Sequence, residues 1–256
     1  MKISVLTVCY NAQDTIRQTL DSFCAQSYGE REMIVIDGAS RDGTLAIAEA
    51  YEGEKIRVIS EPDRGMYDAL NKGLKLYSGD AFGVLNADDA YHHSDVLALI
   101  SEGLQHAPIV QGHLDFVADH ESKNIVRHWK GQIRPTTGFK SGWMPAHPTF
   151  YVRREVATAV GEFDTSIETA ADYDWMLRAV DVFGFEAHLL DDVLIDMKMG
   201  GKSTKDVLAQ IRHNLEALAV RQRWLDAGLI DYALLAKPLR KIGQFIVHKK
   251  RMQSGQ

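Results

Sequence analysis

The sequence predicts an α/β protein with a mostly parallel sheet, flanking helices and a helical C-terminal extension. Short apolar runs rich in β-branched residues alternate with amphipathic helical patterns over the first hundred residues. The chain has 256 residues, of which 45% are hydrophobic and 25% charged. This composition suits one large α/β domain with an appendage, and it excludes a disordered chain or a disulfide scaffold.

The first half of the chain is predicted to hold four strands, with a helix after each of the first three. The strands are the apolar runs 3–9, 33–36, 56–59 and 82–85, and the helices cover 16–24, 44–51 and 66–77. Strands joined by helices of this length form right-handed βαβ units, so the four strands should lie parallel in one sheet.

The second half is predicted to be less regular. Residues 109–117 and 125–129 have the pattern of antiparallel strands, and residues 130–147 form a loop long enough to be functional. Apolar positions at helical spacing predict one helix from residue 207 and another over about 230–248. The chain is therefore expected to end in helices.

Charge and cysteine content narrow the range of functions. Six of the 29 basic residues lie in residues 233–256, which contain no acid, so the rest of the chain carries 35 acidic against 23 basic groups. An acidic body argues against nucleic-acid binding. Cys9 and Cys24 lie in apolar periodic segments, so we expect reduced core thiols in a cytosolic protein. No apolar run is long enough to span a membrane.

Polar side chains follow each of the first four predicted strands, at Tyr10-Asn11, at Asp37, in segment 61–65 and in segment 86–89. Because ligands of open α/β sheets bind beyond the carboxyl ends of the strands, this edge is the predicted binding site. The first turn has no G-x-G-x-x-G and the chain has no Walker A loop, which argues against a dinucleotide dehydrogenase and a P-loop enzyme. A carboxylate-rich edge suits ribose hydroxyls, base N–H groups and a hard divalent cation.

Several motifs on this edge resemble those of family 2 glycosyltransferases, which have the GT-A fold. The resemblance is carried by residues 7–11, 37–44, 60–73, 86–89, 171–174 and 199–204. The string over 60–73 is similar to the bacterial branch that builds exopolysaccharide, capsule and lipopolysaccharide repeats, colanic acid transferases of the WcaE type included. The resemblance implies a GT-A domain over 1–204, with a nucleotide-binding half (1–107) and an acceptor-binding half (108–204), followed by a helical segment over 205–256.

The activity that the resemblance implies is metal-dependent, inverting transfer of a sugar from a nucleotide-sugar donor to a hydroxyl of a lipid-linked glycan, in bacterial surface polysaccharide biosynthesis. A UDP-sugar is the first expectation, and GDP- and dTDP-sugars are alternatives. Two rival functions stay open. A sugar-phosphate nucleotidylyltransferase normally needs a Gly-rich basic loop after the first strand, which this chain lacks. A non-catalytic homologue that binds a nucleotide sugar or a partner is the other.

The resemblance also implies a set of donor-binding residues along the sheet edge. They are Val8, Tyr10, Asn11, Asp37, Asp63, Gly65, Asp68, Lys72, Asn86 and Ala87. Two of the assignments have structural alternatives. Asp63 is also suited to capping the helix that begins near Gly65. Asp68 and Lys72 are also spaced for an ordinary i,i+4 ion pair.

The resemblance implies a divalent cation, Mn²⁺ or Mg²⁺, at the segment 86–89. Asp88 occupies the usual ligand position of the family's D-x-D motif, with Asp89 as a second candidate, whereas Asn86 replaces the first acid. Turn acids that cap the following helix are the structural alternative. The chain has no histidine near residues 197–199, so Lys198 or Lys202 would replace part of the positive charge at the diphosphate.

The general base of the family falls in the Asp-Tyr-Asp string over 172–174, so Asp172 is the predicted base and Asp174 the second choice. Thr169 precedes Asp172 by three residues, which also fits a capping box. His147 and Trp143 follow the long loop and are candidates for the acceptor or diphosphate site, although a lone histidine is usually structural.

The basic residues of segment 233–251 alternate with apolar positions at helical spacing. We expect this segment to bind an anionic membrane surface, which would make the protein cytoplasmic and peripheral at the inner face of the inner membrane. A C-terminal helix that packs on the body with a solvated basic face is the alternative. A homodimer stays open, and a nucleic-acid partner is not expected.

Overall fold

The computed structural model describes residues 1–121, 124–199 and 207–225. Its strands are β1 (Ile3–Cys9), β2 (Arg31–Asp37), β3 (Ile56–Ser60), β4 (Ala81–Val84), β5 (Asp89–Tyr91), β6 (Ile109–Val117), β7 (Ile125–Trp129), β8 (Tyr151–Arg153) and β9 (Ala187–Lys198). Its helices are α1 (Ile16–Cys24), α2 (Thr44–Glu49), α3 (Met66–Leu76), α4 (Val96–His106), α5 (Arg154–Val160), α6 (Ala171–Leu177) and α7 (Val207–Leu225).

The strands of the described residues form one mixed sheet in the order β3-β2-β1-β4-β8-β6-β9-β5, with β7 paired to β6. The four strands predicted from the first half are parallel, as expected. Strands β6 and β7 are antiparallel, which confirms the prediction for residues 109–117 and 125–129. Helices cover both faces of the sheet, so the α/β fold class is confirmed.

Strand β5 was not expected from the sequence, because three residues are too few for an alternating pattern. It begins at Asp89 and pairs antiparallel with β9, so that Ala90 lies opposite Asp196. The chain after Asp88 therefore runs beside the end of β9, which carries Lys198. This pairing builds the sheet edge at which the predicted metal ligand lies.

Two hydrophobic clusters lie on opposite faces of the sheet, as the period of two in a strand requires. Leu6 of β1 packs with α3 and α6 on one face, and the adjacent Val5 packs with α1 and α4 on the other. Ala217 and Val220 of α7 belong to the first cluster. The described part of segment 205–256 is thus packed against the α/β body.

Three further expectations concern the cysteines, membrane-spanning helices and the C-terminal segment. Cys9 is buried, whereas Cys24 is exposed at the end of α1, so the expectation of a core thiol is wrong for Cys24. Among the described residues, no helix is both long and apolar enough to cross a membrane. The helix predicted over 230–248 and the basic segment 233–251 lie outside the described residues.

Candidate active site

The loops after β1 and β2 are held together by hydrogen bonds at the carboxyl edge of the sheet. The backbone N–H of Asn11 donates to Oγ of Ser40, and the Asn11 side-chain oxygen accepts from the N–H of Arg41. Asn11 has φ of 50°, a left-handed conformation that asparagine tolerates. Beside it, Tyr10 is about half exposed. Two of the predicted donor-binding residues therefore lie on one firmly braced loop.

Asp37, at the end of β2, is fully buried. Its carboxylate accepts hydrogen bonds from the N–H and hydroxyl of Ser40 and from the hydroxyl of Ser60, with the Ser60 oxygen at 2.6 Å. These contacts join the loops that follow β2 and β3. Asp37 thus organises the edge of the site, and its direct contact with a nucleotide stays a prediction.

Asp63 lies over the glycine that follows Asp37. A Cβ atom at Gly38 would come within 2.4 Å of Asp63 Oδ2, so any larger residue there would displace the Asp63 carboxylate from its present position. Asp63 Oδ1 accepts a hydrogen bond from the N–H of Gly65, which has φ of 121° and precedes α3. Asp63 therefore shapes the turn before α3 without capping the helix, because Gly65 is the N-cap residue and no side chain caps it, and the half-buried Asp63 carboxylate borders the predicted donor edge.

Asp68 and Lys72 do not form the ion pair that their spacing allows. Asp68 instead pairs with Arg64, which lowers the pKa of the Asp68 carboxyl through that side-chain hydrogen bond. Lys72 Nζ lies 3.0 Å from Oε1 of Glu61 and donates to the carbonyl of Pro62 at 2.7 Å. Asp68 and Lys72 thus both contact the loop over 61–64 that precedes α3 and stabilise its conformation.

A tight turn connects β4 to β5. The N–H of Asp89 donates to the carbonyl of Asn86, and the Asn86 side chain donates to Oδ2 of Asp89. Asp89 is buried, and this burial raises its pKa well above the usual range for a carboxyl. Ala87 is also buried. Asn86 and Asp89 thus stabilise the turn, and the structure favours Asp88 over Asp89 as a ligand of an external cation.

Asp88, like Asn86, is half-buried in this turn, and partial burial raises the pKa of the Asp88 carboxyl. Electrostatic interactions with the nearby side chains of His120 and Lys198 oppose that rise. His120 donates from Nε2 to the carbonyl of Asp88 at 2.8 Å, and its buried Nδ1 has no partner among the described residues. A partly desolvated carboxylate at the end of a parallel strand is suited to binding a hard divalent cation.

Asp172 lies in the first turn of α6, and its side chain is 18% exposed. Oδ1 accepts hydrogen bonds from the hydroxyl of Tyr67 at 3.2 Å and from the N–H of Tyr173 at 2.8 Å. Oδ2 lies 3.9 Å from Nδ1 of His147. Burial lowers the pKa of His147, and the Asp172 charge opposes that effect. A carboxylate held on one oxygen and accessible at the other can accept a proton from a substrate hydroxyl.

The neighbours of Asp172 in the motif make hydrogen bonds within the protein that Asp172 does not make. Thr169 does not cap α6 with Asp172, because its N–H and hydroxyl both donate to Glu216 of α7. Asp174 is buried and accepts from Nε of Arg178 at 2.7 Å and from Nε1 of Trp224 at 2.8 Å. With both oxygens engaged inside the protein, Asp174 has a structural role, which favours Asp172 as the base, and the choice between the two acids stays a prediction.

The contacts of two further predicted site residues show where their side chains lie. Trp143 is buried, donates from Nε1 to the carbonyl of Gln132 and meets Phe139 edge to face, so it is a core residue and not an exposed acceptor contact. Val8 packs against the cluster that contains α3. Lys202 lies outside the described residues.

Tyr67 and His120 are the residues that sequence reasoning missed. Tyr67 lies inside the motif over 60–73, but its position in the helical pattern of apolar residues indicates only that its side chain is buried in α3. His120 lies in an irregular stretch after β6, where no periodic pattern indicates a role. The roles of both residues could not be predicted from the sequence, because their partners, Asp172 and Asp88, are distant in the chain.

Comparisons with known proteins agree with this geometry. The sequence profile of Glycosyl transferase family 2 matches residues 4–161, which is more than half of the chain. A PGL/p-HBAD biosynthesis glycosyltransferase of Mycobacterium bovis (strain BCG / Pasteur 1173P2) is 26% identical over 189 residues, covering 68% of each chain. An uncharacterised glycosyltransferase of Mycobacterium tuberculosis (strain CDC 1551 / Oshkosh) is 33% identical over 181 residues, or 69% of this chain and 68% of its own.

Solved structures show the same fold. The S. aureus TarS 1–349 structure in complex with UDP-GlcNAc has a TM-score of 0.68 at 18% identity, covering 93% of this chain and 72% of its own. A mannosyltransferase from Pyrobaculum calidifontis in complex with GDP-Man and Mn²⁺ has a TM-score of 0.67 at 20% identity, covering 92% of this chain and 68% of its own. These likenesses identify the fold as GT-A, and with the profile match they establish that the chain belongs to glycosyl transferase family 2.

Proposed function

We propose that this glycosyltransferase is an inverting, metal-dependent enzyme in which Asp172 is the general base. The observation that carries the proposal is the contact between Tyr67 and Asp172. Tyr67 follows Gly65 by two residues, and Gly65 is hydrogen-bonded to Asp63 at the donor edge. The only accessible carboxylate of the Asp-Tyr-Asp motif is therefore held beside the loop expected to bind the donor.

In the proposed reaction, Oδ2 of Asp172 takes the proton of an acceptor hydroxyl. The hydroxyl oxygen then attacks the anomeric carbon, and the nucleoside diphosphate leaves from the opposite face with the bonding electron pair. A positioned base contributes roughly 10²–10⁴-fold to the rate. The imidazole of His147 lies near Oδ2 of Asp172 and provides a polar neighbour for that oxygen. Burial lowers the pKa of His147, which favours the neutral form of the imidazole.

The donor is proposed to be a nucleotide sugar, with a UDP-sugar first. The UDP-GlcNAc and GDP-Man complexes of the two structural neighbours support this class of donor without choosing between the bases. Tyr10 offers an exposed ring on which a base can stack, and Asp63 offers a carboxylate to ribose or base. Asp37 is proposed to contact the base or ribose, and it also holds together the loops after β2 and β3.

A divalent cation, Mn²⁺ or Mg²⁺, is proposed to be held by Asp88, and it would neutralise the departing diphosphate. The partial burial of the Asp88 carboxylate, in the turn that follows β4 at the carboxyl edge of the sheet, supports this assignment. The Mn²⁺ in the neighbouring mannosyltransferase supports it as well. Asn86 supplies no charge here, because a carboxamide is neutral, and its N–H is engaged with Asp89.

The acceptor is proposed to be a lipid-linked glycan of bacterial surface polysaccharide biosynthesis, met at the cytoplasmic face of the inner membrane. The resemblance of the string over 60–73 supports the polysaccharide branch, and the basic, apolar segment 233–251 supports a membrane location. Both statements rest on sequence.

The test is turnover of UDP-, GDP- and dTDP-sugars, with and without Mn²⁺, by the wild type, Asp172→Asn and Glu168→Gln. Glu168 is the matched control, because it lies four residues before Asp172 and is 66% exposed. We expect metal-dependent release of nucleoside diphosphate from one donor class, unchanged in Glu168→Gln and reduced at least 10²-fold in Asp172→Asn, with donor affinity retained. Donor binding without turnover by the wild type would instead identify a non-catalytic homologue.

A further inference from the structure

A second group of potential metal ligands lies on the strands β6 and β9 and directly after β5. One ligand atom each from His92, Asp115 and Asp196 lies within 4.8 Å of the other two. Asp115 and Asp196 are register partners on adjacent parallel strands, and side chains at such positions share one face of the sheet. His92 follows β5, which pairs with β9 on its other side.

The two carboxylates are almost completely buried, with 3% of each residue exposed. Adjacent buried carboxylates repel each other and are costly to desolvate, so positive charge must compensate them. An imidazole approaches each one: Nδ1 of His92 lies 2.6 Å from Asp196, and Nδ1 of His128 lies 2.5 Å from Asp115. The four side chains thus form a row across β5, β9, β6 and β7.

We propose that His92, Asp115 and Asp196 bind a divalent transition-metal cation, with Zn²⁺ as the preferred ion. One imidazole nitrogen and two carboxylate oxygens are donors that Zn²⁺ takes at about 2.0–2.2 Å. Asp115 keeps Oδ1 on His128, an arrangement that orients a ligating carboxylate, and offers its other oxygen to the cation. A bound cation would take the place of the direct contact between His92 and Asp196.

The geometry makes the site accessible and rigid. The imidazoles of His92 and His128 are 30% and 25% exposed, so an ion reaches the buried carboxylates between two rings at the surface. The ligands come from paired strands, which fix their separation. A bound cation would tie β5 to β6 through β9 and so brace the chain directly after Asp88.

This site is distinct from the proposed donor-site cation and does not depend on the proposed function. Among the described residues, Asp88 is not part of the group whose ligand atoms converge. The donor-site cation is expected to need a diphosphate, because Asp88 supplies one carboxylate. The second site supplies three protein ligands and is expected to bind the ion alone.

The experiment uses the full-length protein after treatment with a chelator, and Zn²⁺ without any nucleotide. We expect one Zn²⁺ per chain by calorimetry, and a rise in Tm of about 5–10 °C at a hundred times Kd. Mg²⁺ should give no such rise, because it prefers oxygen ligands. The Asp115→Asn and His92→Gln variants should each bind Zn²⁺ at least 10-fold more weakly.

Two controls isolate the site. Asp191→Asn removes the partner of another histidine on β6, His113, but Asp191 is 89% exposed and belongs to no three-ligand group among the described residues. It should bind Zn²⁺ like the wild type, and so should Asp88→Asn. His92→Gln changes a partly exposed residue, so it reports on the site even where Asp115→Asn fails to fold. Equal Zn²⁺ affinity in wild type and His92→Gln, or no stoichiometric Zn²⁺ in the wild type, would overturn the proposal.

Discussion

The hydroxyl of Tyr67 in α3 donates a hydrogen bond to Oδ1 of Asp172 in α6, across 3.2 Å and 105 positions of sequence. Burial, together with the Asp172 charge, raises the pKa of Tyr67, so the hydroxyl keeps its proton and remains a donor. The ring stacks on Phe163 at 6.0 Å between centroids, which fixes the direction of the hydroxyl. The contact therefore aims the carboxylate and joins the donor edge to the proposed base.

Tyr67→Phe should slow turnover while leaving donor affinity unchanged. The ring and its packing remain, but Oδ1 of Asp172 loses one of its two donors, so the carboxylate is less well aimed. We expect kcat to fall roughly 10-fold, less than for removal of the base. Steady-state kinetics and donor titration measure the two quantities separately. A fall in donor affinity at unchanged kcat would mean that Tyr67 shapes the donor pocket instead.

Asp88→Asn should abolish the Mn²⁺-dependent part of donor binding. Asparagine keeps the shape of the turn but removes the charge that holds a cation, and Tm should not fall, because a partly buried carboxylate is removed. Calorimetric titration of UDP with and without Mn²⁺ measures the effect. Asp14→Asn, at an exposed position after β1, is the matched control and should bind like the wild type. Undiminished Mn²⁺ dependence in Asp88→Asn would reject Asp88 as the ligand.

Asp174→Asn should damage stability and spare the chemistry. The substitution leaves the buried Arg178 guanidinium without its carboxylate, and breaking a buried pair costs about 3–5 kcal/mol. We therefore expect a lower free energy of unfolding in urea and near-normal kcat for the fraction that stays folded at low temperature. A stable, inactive Asp174→Asn protein would restore Asp174 as a candidate base.

Glu32→Gln should destabilise the protein at neutral pH but not in acid. Burial alone would raise the pKa of Glu32, but hydrogen bonds from Lys2, Ser4 and Ser78 outweigh it and hold the pKa at about 2. Because this folded-state value lies below the unfolded one, the stabilisation is complete above about pH 4.5 and is lost as the pH falls towards 2. Urea unfolding should show a loss of about 1–3 kcal/mol at pH 7, which shrinks over that window. A gap that is independent of pH would exclude this linkage.

Truncation after Asp231 should release the protein from anionic membranes. The six cations of the removed segment are each worth about 1 kcal/mol near such a surface, and salt screens them. Flotation with vesicles that contain anionic lipid should recover the full-length chain and not the truncated one. Binding that is equal for both proteins, or unchanged at about 0.5 M salt, would favour a C-terminal helix packed on the body.

The sequence by itself determined the elements whose patterns are long. The four parallel strands and the helices α1 and α3 follow from runs that repeat with a period of two or 3.6. The carboxyl-edge rule predicts that Asp37, Asp63 and Asp88 lie along one edge of the sheet. The family followed from motifs such as that over 60–73, because their order and spacing are specific.

Only the tertiary structure decided which acid of each motif is available for chemistry. Asp172 and Asp174 are two positions apart in one helix, and no local sequence pattern distinguishes them. In the structure, Arg178 and Trp224 donate hydrogen bonds to the two oxygens of Asp174, whereas Tyr67 bonds only Oδ1 of Asp172 and leaves Oδ2 accessible. The cluster of His92, Asp115 and Asp196 arises in the same way, from strands that meet only when the sheet closes. Periodicity reports which face of an element is buried, whereas the partner of a polar atom depends on contacts between residues that are distant in the chain.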